Sequence, residues 1–82
     1  MKSQTLKNDI IAIDHKISEV DAAINKAKNV IKYATMCEKY ATDEHNRGIF
    51  AHNRSVAEAE LRQQEKQRKV FQKGYELILN KY

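Results

Sequence analysis

Apolar residues recur every seven positions along the first half of the chain. The repeat consists of Ile10, Ile17, Ile24 and Ile31, and a second apolar set falls between them at four- and three-residue steps: Leu6, Ile13, Val20, Ala27 and Ala34. This heptad pattern indicates an amphipathic helix whose narrow apolar seam packs against another helix. It predicts a first helix over about residues 3–46 in an all-α protein.

The second half of the chain has helical periodicity too, but its apolar face is interrupted. That face comprises Ala57, Leu61, Phe71, Tyr75, Ile78 and Tyr82. Gln64 and Arg68 fall in its middle, and residues 62–69 contain no apolar side chain. Ser55 and Glu58 have the spacing of a capping box, in which each side chain bonds the other's free backbone N–H. We predict a second helix that begins at about residue 50 or 55 and ends at about 81.

The two helices are predicted to form an antiparallel hairpin with its turn near residues 46–54. Gly48 follows a charged segment, and a glycine just after a helix is a common stop because it tolerates left-handed backbone. A single bent helix is the alternative, since one glycine costs only about 1 kcal/mol in a helix. Folding at Gly48 places Ile24 near Phe71 and Ala27 near Arg68.

This register leaves Leu6 and Ile10 beyond the end of the second helix, so we predict that they form an oligomer interface. A chain of 82 residues without proline is one small helical domain, and a domain of that size buries a modest fraction of its surface alone. We therefore expect a coiled-coil-like homo-oligomer, specifically a four-helix bundle dimer.

The composition and the N-terminal segment suggest where in the cell the protein works and what kind of genome encodes it. One cysteine, Cys37, precludes an intrachain disulfide and suits a reducing compartment. The N-terminal segment is amphipathic, so we expect no signal peptide, no membrane span, no membrane partner and a cytoplasmic location. The frequent Lys, Asn and Ile would suit an AT-rich genome, and short hairpins of this kind occur among phage accessory proteins.

Positive charge is concentrated in the second half of the chain. The net charge is +4, and residues 1–46 are neutral, so the excess belongs to residues 47–82. Four cations spaced four, three and four residues apart form one stripe on the second helix: Arg62, Lys66, Lys69 and Lys73. Such a stripe can bind a phosphate backbone or an acidic protein surface. The alternative is a solvated helix face in which Glu58, Glu65 and Glu76 neutralise the stripe.

No arrangement of side chains indicates catalysis or a cofactor. His45, His52 and Cys37 flank the predicted turn, but none has the spacing of a metal site, and no histidine stands at a persuasive distance from Cys37. The tyrosines at helical spacing are typical of packing residues, although they could line a ligand cleft. We predict no catalytic residue, no metal ligand and no cofactor.

These observations predict a non-enzymatic interaction protein, a regulator or inhibitor that binds a macromolecular partner. The candidate contacts are the basic stripe and the exposed turn at Ile49 and Phe50. The alternative is a protein that binds nucleic acid regardless of sequence, with Arg62, Lys66, Lys69 and Lys73 on phosphates. The sequence does not identify the protein partner.

Overall fold

The fold is a hairpin of two long α-helices. The computed structural model describes residues 2–81, with side chains from residue 5 onward. Helix α1 spans Lys2–Tyr40 and helix α2 spans Glu44–Lys81, and only residues 41–43 lie between them in the described part of the chain. The all-α prediction is confirmed, and contacts along both helices exclude a single bent helix. Neither helix is long and apolar enough, over its described residues, to cross a membrane.

The turn lies before the predicted one, at residues 41–43 rather than 46–54. Asp43 is the N-cap residue that precedes α2. Its Oδ1 accepts a hydrogen bond from the Asn46 backbone N–H at 2.7 Å and thereby satisfies a free donor of the first turn. The Arg47 guanidinium donates to the carbonyl oxygen of Ala41 at 3.2 Å, which satisfies a group at the end of α1. The predicted end of helix one near 46 and start of helix two at 50 or 55 are therefore wrong.

Gly48 and Ser55 are both ordinary helical residues in α2. Neither glycine of the chain has a positive φ, so Gly48 does not act as the left-handed residue that ends a helix. A side chain at Gly48 would meet open space. The turn therefore lies just before the start of α2, where Asp43 caps the helix, and Gly48 lies inside that helix.

The early turn shifts the pairing between the helices by about six residues. Arg68, predicted opposite Ala27, bonds Asp21 instead. A Cβ built on Gly74 would lie 3.2 Å from Ile13 Cδ1, so the two helices approach closely there. The antiparallel hairpin is confirmed, but its predicted register is wrong.

The corrected register also removes the predicted overhang at the N-terminal end of α1. With Gly74 against Ile13, the remainder of α2 runs beside the start of α1. Leu6 and Ile10 are accordingly half-buried rather than exposed. The prediction that they form an oligomer interface rested on that overhang, so the structure no longer supports the reason for it.

The heptad seam of α1 is the buried face of the hairpin. The buried apolar side chains are Val20, Ile24, Ala27 and Ala34 from that seam and Ala57 from α2. Small residues on α1 allow the helices to approach closely, and larger half-buried side chains of α2 cover them. The seam is therefore confirmed as the packing surface within the chain.

The hairpin is thin and elongated, with extents of 64 × 14 × 12 Å. Its radius of gyration is 18.5 Å, whereas a compact domain of this length would have about 12 Å. Its accessible surface is 6500 Å², compared with about 5000 Å² for a typical monomer of this mass. The chain thus leaves more surface uncovered than a globular domain of its size does.

Candidate interaction surfaces

Two arginines of α2 are held by acidic residues of α1. Arg68 Nε donates to Asp21 Oδ1 at 2.6 Å. Arg54 Nη1 lies 2.9 Å from Glu38 Oε2, and its Nε lies 3.7 Å from Glu58 Oε1. The Glu38 oxygen is buried, and the guanidinium lies off the line of a directed hydrogen bond, so that contact is chiefly ionic. These pairs explain why polar residues interrupt both apolar faces.

The basic stripe of α2 lies on the side of the helix away from α1. Its residues fall about 120–180° around the helix axis from the buried Ala57 and are all exposed: Arg62, Lys66, Lys69 and Lys73. Within the described part of the chain, none of the four makes an ion pair or hydrogen bond. Glu58, predicted to neutralise the stripe, contacts Arg54 instead. The stripe is therefore available to an external anion.

Ile49 and Phe50 lie in the second turn of α2, not in a loop as predicted. Ile49 is exposed, whereas Phe50 is half-buried and faces α1. Phe50 lines an open groove of about 860 Å³ together with Val30 and Tyr33. The two predicted contact residues therefore belong to different surfaces. Of the four tyrosines, Tyr33 lines this groove between the helices.

The titratable residues near the turn do not converge. His45 and His52 are exposed, and Cys37 is half-buried. No three His, Cys, Asp or Glu residues among those described are grouped closely enough to hold a metal ion. His15 does contact Glu19, at 3.0 Å, but both side chains lie on the outer surface of α1.

A row of four apolar residues and one glutamine follows α2 on its exposed side, and it was not predicted from the sequence. This row, hereafter the outer row, has one residue every seven positions: Ile49, Val56, Gln63, Val70 and Leu77. The exposed fractions of its apolar members are 44%, 54%, 63% and 60%. It lies between the basic stripe and the groove, and Val56 and Val30 line a smaller depression that adjoins the groove. Seven-residue spacing was the signal that could have revealed it.

No family model matches this chain, and no curated protein or solved structure matches it. The surfaces described above are therefore the basis for inferring its function.

Proposed function

We propose that this chain is a non-enzymatic regulator or inhibitor that acts by binding a macromolecular partner. The hairpin would work as a cytoplasmic four-helix bundle dimer and present its basic stripe to an acidic surface of a partner protein. Its elongated shape supports this role, because a thin two-helix layer offers contact area and little enclosed volume for a substrate.

The observation that carries the proposal is the difference between two groups of cations on α2. Arg54 and Arg68 are engaged by acidic residues of α1. The four cations of the basic stripe are exposed and unpaired within the described residues. Cations that the hairpin does not use in its own packing are free to attract an acidic partner and to orient its approach.

Changing the whole basic stripe to glutamine tests this proposal. The variant Arg62→Gln, Lys66→Gln, Lys69→Gln, Lys73→Gln should retain its helicity, since exposed charges contribute about 0–1 kcal/mol each. A matched control changes four exposed lysines of α1 to glutamine, with the same loss of charge: Lys7, Lys16, Lys28 and Lys32.

Each variant is immobilised and exposed to nuclease-treated lysate of the native host, and captured proteins are identified by mass spectrometry. We expect the stripe variant to lose a partner that the wild type and the control retain. Equal capture by all three proteins would contradict a role for the stripe.

Nucleic acid is the second candidate, because the same four unpaired cations extend over about 17 Å of helix. If the four cations contact four phosphates, raising the salt concentration from 50 to 200 mM should lower the affinity for duplex DNA roughly 100-fold. A titration of labelled duplex measures this response. Steep salt dependence that the stripe variant abolishes would favour this alternative, and absence of binding at low salt would exclude it.

A further inference from the structure

We infer that the outer row of α2 is the docking surface for a second copy of this chain, with two α2 helices antiparallel and a two-fold axis at Gln63. The inference rests on the proposed dimer and names its interface. It does not require that the basic stripe bind a partner.

The spacing of the outer row is that of a helix–helix contact. Neighbouring members are seven residues apart, or about 10.5 Å, and the row from Ile49 to Leu77 spans about 42 Å. A strict seven-residue repeat drifts by about 20° per heptad on a straight helix, and a left-handed supercoil compensates for that drift. All five members are exposed in the isolated hairpin, so the packing within the chain does not account for the repeat.

The order of residues in the outer row fits a copy of itself. A two-fold interface brings the same patch of both subunits together, so the patch must complement itself. Read from either end, the row is a large aliphatic residue, valine, glutamine, valine and a large aliphatic residue. About an axis at Gln63, Val56 would face the partner's Val70 and Ile49 would face the partner's Leu77.

Gln63 suits the position on the axis. A glutamine side chain both donates and accepts hydrogen bonds, so two glutamines that meet on the axis can satisfy each other. A single polar residue within an apolar contact between helices fixes both the register of the helices and the number of helices that associate. Any other antiparallel register would place this amide against an aliphatic side chain.

The surface that the isolated hairpin leaves uncovered is large enough for one further copy. Its surface of 6500 Å² exceeds that of a typical monomer of its mass by about 1500 Å². A standard interface takes about 800 Å² from each partner. A depression between the outer row and α1 widens the contact, because the exposed side chains of Val30 and Val56 line it together.

The inferred dimer would bring the two basic stripes together. Lys66 and Lys73 border the outer row on the side away from the groove, as helical spacing requires. The two-fold operation places this border of both subunits on the same side of the interface. The dimer would therefore present eight cations on one surface, which links the inferred interface to the proposed partner site.

Cysteine cross-linking tests the inferred geometry. In a Cys37→Ser background, which removes the chain's own thiol, Gln63→Cys should give a disulfide-linked dimer, since a residue on the axis meets its own copy. Val56→Cys should not cross-link to itself, because its two copies would lie about 21 Å apart along the paired helices. A mixture of Val56→Cys and Val70→Cys should give the mixed dimer.

Charged substitutions test the surface independently. Val56→Asp with Val70→Asp should weaken the dimer at least about 100-fold by light scattering, because four carboxylates would enter one apolar contact. The matched control is Ile11→Asp with Met36→Asp, since these α1 side chains are also about half exposed. Circular dichroism checks that both proteins remain helical.

The experiments on the dimer have four outcomes that would overturn the inference: a wild-type monomer at high micromolar concentration, self-linking of Val56→Cys, no cross-link through residue 63, or dissociation by the control substitutions instead. Binding of a monomer to anionic vesicles through this row would also overturn it. Failure of the proposed function has a different readout, namely equal partner capture by the wild type and the stripe variant.

Discussion

The two helices of this hairpin use their apolar residues differently. Helix α1 directs its heptad seam toward α2 and contributes four of the five buried side chains among residues 5–81. Helix α2 contributes only Ala57 to that group and carries apolar residues on two sides. One row faces α1, and the outer row precedes it by one residue and faces outward. Both helices also leave large apolar side chains exposed, but four of those of α2 form a row along most of the helix, whereas those of α1, apart from Ile11, lie within residues 30–40. We therefore propose that α2, rather than α1, packs against a second helical neighbour.

The largest expected effect comes from truncating the seam of α1. Ile24→Ala should lower the free energy of unfolding by about 2–5 kcal/mol, because it removes buried methylene groups and leaves a cavity. Chemical denaturation followed by circular dichroism measures the change. Ile11→Ala, at an exposed position of the same helix, should cost less than about 0.5 kcal/mol. Equal costs would contradict the one-sided burial of α1.

Gly74 tests the close approach of α2 to α1. Gly74→Leu should destabilise the hairpin by about 1–3 kcal/mol, because its side chain would overlap Ile13 and force repacking. Gly48→Leu is the matched control, since the space around Gly48 is open and leucine is the better helix former. Thermal unfolding of both variants measures the difference. A Gly74→Leu protein as stable as the Gly48→Leu protein would argue against this register.

The seam could be predicted from the sequence, whereas the turn and the register could not. The seven-residue spacing of Ile10, Ile17, Ile24 and Ile31 is a local property, and one face of a helix follows from it directly. The sequence offered two positions for the turn, one near Gly48 and one near Asp43, and the spacing of the apolar residues does not choose between them. Gly48 can end a helix or remain within one at modest cost. The Asp43 cap is a local signal, since it bonds a backbone N–H three residues later, and it was not recognised in the sequence beside Gly48.

The polar residues within the apolar faces also required the fold for their interpretation. Glu38 falls at the next position of the α1 seam, and Arg68 interrupts the apolar face of α2 between Leu61 and Phe71. Each of the two forms an ion pair with a residue of the other helix. Their partners lie far away in sequence and follow from the register. The outer row, by contrast, was visible in the spacing of Ile49, Val56, Val70 and Leu77. It was missed because the apolar face of α2 that packs on α1 lies directly beside it.

A smaller effect is expected at the helix cap. Asp43→Ala should destabilise the hairpin by about 1 kcal/mol, since it removes the acceptor for the Asn46 backbone N–H. Asp43→Asn is the control, because its side-chain oxygen can still accept that bond. Urea denaturation should rank the wild type and Asp43→Asn above Asp43→Ala. An alanine variant of unchanged stability would show that α2 does not depend on this cap.

The smallest expected effect is a gain of stability at Gly48. Gly48→Ala should raise the free energy of unfolding by about 0.5–1 kcal/mol, because alanine loses less backbone entropy in a helix and meets no neighbour there. Calorimetry should show a modest rise in Tm. A fall in Tm would mean that residue 48 belongs to the turn, as the sequence alone had suggested.

The most direct test of the difference between α1 and α2 is a series of spin-label distances along the outer row. Single labels at positions 49, 56, 63, 70 and 77, each in a Cys37→Ser protein, would be measured between the two copies by pulsed electron resonance. An antiparallel pair of α2 helices centred on Gln63 predicts a V-shaped profile with its minimum at 63, and a spacing along the helices of about 42 Å at both ends. A flat profile would indicate parallel helices, and the absence of any intermolecular distance would show that α2 has no second helical partner; either result would contradict the account.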